Sequence, residues 1–109
     1  MTRALAKCNK SFIAYNEVQW AYAEVLENDD DIAEIKCNVK LLGFELGDNY
    51  STDFVCSKKS GELLIVETVL KKHLLKPMNC RLLDGSRRYW MGRGVTDFRL
   101  VVGDKNDEK

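Results

Sequence analysis

The sequence predicts an α/β fold, a mixed sheet flanked by helices in the order α-β-β-β-α-β. Three observations carry this. Residues 10–27 repeat apolar side chains at helical spacing. Residues 50–70 read as two β-rich runs around the turn Lys58-Lys59-Ser60-Gly61. From the only proline, Pro77, a helical pattern gives way to a last run of β-formers ending at Val102.

With 109 residues the chain is expected to form one domain with a modest core. At 45% hydrophobic and 31% charged residues it reads as globular rather than disordered. No apolar run approaches the roughly 20 residues of a membrane span. The opening MTRALAKCNKSF lacks the apolar block of a secretory signal. Both features predict a cytoplasmic protein with no membrane partner.

The first helix spans residues 10–27, with Asn9 or Ser11 as N-cap. Tyr15, Val18, Tyr22, Val25 and Leu26 form its apolar stripe. Glu17 lies beside that stripe. An extended stretch follows from Ile32 to Leu46, with a strand near Cys37–Phe44 and Gly43 marking a bulge or bend. Gly47-Asp48-Asn49 is a turn. Strands at 50–57 and 62–70 come next. A helix at 78–91 contains Gly85 and is stopped by Gly92 and Gly94. A strand at 96–102 ends the pattern, and the polar tail 103–109 is expected to be mobile.

The net charge of zero gives no global basic field. Charge is nonetheless unevenly placed. Residues 71–93 hold Lys71, Lys72, Lys76, Arg81, Arg87, Arg88 and Arg93 against one acid, Asp84. This segment suits a phosphate backbone, and it equally suits a solvated helix face. Cys8, Cys37, Cys56 and Cys80 are widely spaced, and the one histidine, His73, has no ligand-spaced companion. Neither a zinc site nor a disulfide framework is indicated, and reduced thiols are expected.

The chemistry lies in the stretch YSTDFVCSKKSGELLIVETVL. Its two strands each carry one carboxylate among apolar neighbours, Asp53 and Glu67. Acids are depleted in strands and costly in a core. With the turn centred near residue 59 or 60, Asp53 falls opposite a residue near 66, with Glu67 beside it. Cross-strand neighbours lie about 5–8 Å apart, close enough to share one divalent ion. The alternative is a pair of edge-strand acids facing water.

The segments SFIAYNEVQWAYAEVLENDDDIAEIKCNVKL, YSTDFV, LLIVETV, LLKP and GVTDFRLVV are similar to the PD-(D/E)XK nuclease superfamily, and to its TnsA-like transposon endonucleases in particular. The resemblance runs from Ser11 to Val102. It implies a restriction-endonuclease-like αβββαβ core and Mg²⁺- or Mn²⁺-dependent cleavage of DNA. Asp53 and Glu67 would be the metal ligands, and Glu17 would complete the catalytic set. The family's lysine stands two residues after the glutamate, where this chain has Val69. An apolar group cannot orient or polarise a hydroxide. Lys71 shares strand parity with Glu67 but lies roughly 13 Å along an extended chain, so a direct substitution requires a bend. Lys72 can serve from a turn. Lys72, Lys76, Arg87 and Arg88 are the candidates for DNA phosphates.

Two functions therefore compete. One is a metal-dependent endodeoxyribonuclease with a displaced lysine. The other is a catalytically silent domain of the same fold, binding DNA or a protein in a mobile-element complex, or acting as an inhibitor. Expected partners are DNA, other proteins of a transposition complex, and a second copy of the chain in a homodimer.

Overall fold

The computed structural model describes residues 2–8, 11–47 and 50–103. The elements are β1 (Thr2–Ala4), β2 (Ser11–Ile13), α1 (Glu17–Glu27), β3 (Ile32–Lys40), β4 (Ser51–Lys58), β5 (Leu63–Leu70), α2 (Lys71–Leu74), α3 (Pro77–Met91) and β6 (Asp97–Gly103). β3 to β6 form a four-stranded sheet in chain order. The β3–β4 and β4–β5 pairs are antiparallel, and β6 joins β5 in parallel. A parallel neighbour requires a crossover, which α2 and α3 supply. The mixed α/β class is the one the sequence predicts.

The β4–β5 hairpin follows from local chemistry. Thr52, Phe54 and Val55 in β4 and Ile65, Val66, Thr68 and Val69 in β5 are the β-branched and aromatic residues that favour strands. Gly61, at φ 95°, turns the chain where a side chain would be strained. The Lys58 and Gly61 amides close the turn onto the Glu62 and Lys58 carbonyls, at 2.8 and 2.9 Å.

The sheet is packed on both faces. Phe12, Leu26, Ile35, Phe54, Leu64 and Val66 join in one buried cluster that binds α1 and β2 to the sheet. On the other side Val55, Ile65 and Val95 pack with Trp90 of α3. Burial on both faces explains why β5 is apolar almost throughout. That run makes its one carboxylate, Glu67, conspicuous.

Several expectations change. The helix of residues 10–27 begins at Glu17, and Asn16 is its N-cap, accepting the Gln19 amide at 2.7 Å. Residues 11–13 instead pair with residues 2–4 as a hairpin. Phe12 and Ala14 are buried while Ile13 and Tyr15 are exposed, an alternation of period two that the helical reading overran. Within the stripe, Val18 and Leu26 are buried, but Tyr15 and Val25 face solvent, and Gln19 and Ala23 take their places. Of the two predicted caps, Asn9 lies outside the described residues, and Ser11 belongs to β2.

The strand expected near 37–44 runs from Ile32 to Lys40, and its irregularity falls between Ile32 and Glu34. Gly43 sits in the turn beyond it, at φ 72°. Asn38, within β3, adopts φ 54°, a conformation that asparagine tolerates. Its side chain donates to the Ile13 carbonyl at 2.7 Å and accepts from the fully buried Gln19 amide at 2.8 Å. These bonds lock β2, α1 and β3 together. Asp48 and Asn49 of the predicted turn lie outside the described residues.

At the other end, Gly103 does not begin a mobile tail. It is the last residue of β6 and pairs with Leu70. The rest of the predicted tail, residues 104–109, lies outside the described residues. A Cβ on Gly103 would stand 2.6 Å from Cγ2 of Val18. Valine is stiff at χ1 and cannot swing aside. Gly103→Ala is therefore expected to destabilise the protein by about 1–3 kcal/mol. The check is a lower urea midpoint at unchanged slope.

All four cysteines are free. No helix among the described residues is long and apolar enough to cross a membrane.

Candidate functional site

Hairpin register brings the two strand acids together. Phe54 pairs with Val66, so one further step sets Asp53 across from Glu67. The Asp53 amide donates to Oε1 of Glu67 at 3.0 Å. Oε2 of Glu67 accepts from the Tyr50 hydroxyl at 2.8 Å and from Ser86 Oγ at 2.5 Å. Ser86 comes from α3, and it is fully buried. Its neighbour Gly85 permits the approach, since a Cβ there would lie 3.0 Å from Cζ of Phe44.

Glu67 is 1% exposed. Burial, then the charge of Asp53, pushes its carboxyl up to about 7, against the pull of the three hydrogen bonds. Tyr50 is pushed up too, by burial and by Glu67, which keeps its hydroxyl a donor. Asp53 is raised by burial and held back by Thr68. Its Oδ2 accepts from the Thr68 amide at 2.7 Å and from the Thr68 hydroxyl at 2.5 Å. Oδ1 has no hydrogen-bond partner among the described residues.

Both acids line an open cleft of about 220 Å³, with Asn16, Thr68, Val69 and His73 among its other walls. The edge-strand alternative, two acids in open water, does not describe this pair. Glu17, Lys71 and Lys72 do not line the cleft. Glu17 opens α1, where its charge suits the helix N-terminus, and the neighbouring cap residue Asn16 reaches the cleft instead. β5 ends at Leu70, and the chain turns at once into α2. That turn supplies the bend, yet Lys71 and Lys72 both end exposed. Among the described residues no lysine lines the cleft, and Val69, where the family's lysine would stand, does.

The phosphate candidates are dispersed over exposed positions of α2, α3 and the link between them. Lys72, Lys76 and Arg87 are exposed. Arg88 is engaged by Glu45 at 2.9 Å and Asp84 at 3.6 Å, which spends part of its charge within the protein.

His73, Asn16, Tyr50 and Ser86 are the cleft and network residues that sequence reasoning passed over. One signal was available for His73. It is the only histidine, and it stands six residues after Glu67.

Two carboxylates fit a magnesium ion. Mg²⁺ keeps several waters and is held by one or two carboxylates plus substrate phosphate oxygens. Among the described residues no group of three or more His, Cys, Asp or Glu stands together, so Asp53 and Glu67 would be the protein's whole acidic contribution. The unpartnered Oδ1 of Asp53 is the oxygen best free to serve. No family model matches the chain, and no curated protein matches it.

Proposed function

We propose that the chain is a Mg²⁺- or Mn²⁺-dependent DNA endonuclease domain with a nuclease-type αβββαβ core, of the kind that cuts beside transposon ends. One observation carries this reading: Asp53 and Glu67, from adjacent strands, line one open cleft. The two acids hold the ion. Bound there, it supplies positive charge beside the scissile phosphate and acidifies water. Thr68 and Tyr50, through their bonds to the carboxyls, fix where those oxygens point. DNA is the substrate, with a second copy of the chain or other transposition proteins as partners.

Supercoiled plasmid incubated with Mg²⁺ or Mn²⁺ tests this. The wild type is expected to nick or linearise it, and Asp53→Asn is expected to abolish cutting. Mg²⁺ is expected to raise the wild-type melting temperature by mass action, a gain that Asp53→Asn removes. A wild type that neither cuts nor responds to either ion would sink the reading.

A second reading has its own support. No lysine among the described residues lines the cleft, and both oxygens of Glu67 are already bonded within the protein. A silent domain that binds DNA through its exposed cations fits those facts. Binding would then weaken steeply with salt, and Arg87→Glu would flatten the logarithmic slope by about 0.9 or more. Arg88→Glu would change it less, because Arg88 is already paired. Salt-independent binding to duplex DNA would count against phosphate recognition on this face.

A further inference from the structure

We infer that His73 fills the part of the missing lysine, as the group that accepts the proton of the attacking water. The inference rests on the nuclease reading and names a residue that the reading does not require.

His73 lines the same cleft as Asp53 and Glu67, and it is half-buried at the wall that α2 forms. It lies in a four-residue helix that follows β5 without a linker. Asn79, another residue of the cleft, donates from Nδ2 to the His73 carbonyl at 2.8 Å. The Lys76 amide donates to the same carbonyl at 3.2 Å. These two bonds tie α2 to the start of α3, so the backbone that carries the imidazole is fixed on both sides.

Glu67 is committed to Tyr50, Ser86 and the Asp53 amide, one oxygen of Asp53 is committed to Thr68 while the other is the one offered to the ion, and the other walls of the cleft are amide, hydroxyl or apolar. The imidazole is the cleft's one nitrogen base among the described residues. Burial, then Lys76 and Lys72, lowers its affinity for a proton, and imidazole is the side chain whose ordinary titration lies closest to neutral pH. The other titratable groups of the cleft are Asp53, Glu67 and Tyr50.

In the step, a water O–H bond breaks and its proton passes to an imidazole nitrogen. The water oxygen forms a bond to phosphorus, and the bond from phosphorus to the leaving sugar oxygen breaks. That oxygen takes a proton from solvent, and the imidazolium returns its own to solvent.

The test uses the full chain, duplex DNA and Mg²⁺, with the Mg²⁺-induced thermal shift measured in parallel. His73→Gln is expected to cut roughly 10²–10⁴-fold more slowly while keeping the thermal shift. His73→Ala is expected to regain cutting when imidazole is added, increasingly as pH converts the additive to its neutral form. A structural role would give no such rescue. A His73→Gln protein that cuts at the wild-type rate overturns the role of His73 and leaves the nuclease reading standing. Loss of cutting without rescue by imidazole overturns proton acceptance. A wild type that does not cut overturns both proposals.

Discussion

Glu67→Gln is expected to stabilise the metal-free protein by about 3 kcal/mol above neutral pH and to leave it almost unchanged in acid. The folded-state carboxyl sits near 7, against 4.5 for the unperturbed group. Between those values the folded protein holds a proton that the unfolded chain has released. Stability from this group is therefore complete at and below the unfolded value. It falls as pH rises, and it is gone once pH passes the folded value. Glutamine has the shape of the protonated acid. Its oxygen can accept the Asp53 amide, and its –NH₂ can donate to Tyr50 and Ser86, whose hydroxyls rotate to accept. Urea unfolding with a chelator present, from about pH 4 to about pH 8, reads the difference between variant and wild type. It should open across that window and then stay level. Parallel curves for the two proteins would show that Glu67 ionises normally.

Val69→Lys is expected to have its largest effect in a protein that already carries His73→Gln. Val69 is 8% exposed, lines the cleft and pairs with Val102 of β6. A lysine there would put its ammonium about 6–7 Å along the strand from Glu67, on the same side. An opposite charge at short range lowers a carboxyl by about 1–3 pK units, so Glu67 would ionise at neutral pH. The double variant should recover a large part of the roughly 10²–10⁴-fold loss of the single one. In the otherwise wild-type chain the lysine should add little, because His73 already serves. If the wild type is silent and Val69→Lys alone cuts, the lysine is the one part the cleft lacked. Overpacking at this site costs about 1–3 kcal/mol, so cutting is compared well below the melting temperature.

Much of this site is legible in the amino-acid order alone. The two acids stand in strands joined by a short turn, and the turn fixes which residues face one another. Pro77 opens α3 at the first turn, where its fixed φ fits, and past the end of the helix Gly94 adopts φ 84°, while Gly92 keeps a helical φ of -64°. Sequence patterns misled where they were ambiguous. Residues 11–16 fit the start of a helix until β1 is present to pair with β2. Glu17 follows from that error, since a helix that starts seven residues later sets it in the first turn rather than midway.

The sequence by itself determined the α/β class, the β4–β5 hairpin and, to within one residue of register, the juxtaposition of Asp53 and Glu67, because turn chemistry and alternation act between near neighbours. Tertiary structure alone decided which other side chains join them. Strand parity puts Lys71 with Glu67, but at Leu70 the step between successive side chains changes from a half-turn to about 100°. The lysines turn out to solvent, and His73 comes round to the cleft wall. Ser86 reaches Glu67 where α3, at Gly85, closes tightly on Phe44. Gly103 is held because β6 packs against Val18, far away in the chain. Such contacts depend on how separate elements pack, and no local period or turn encodes that.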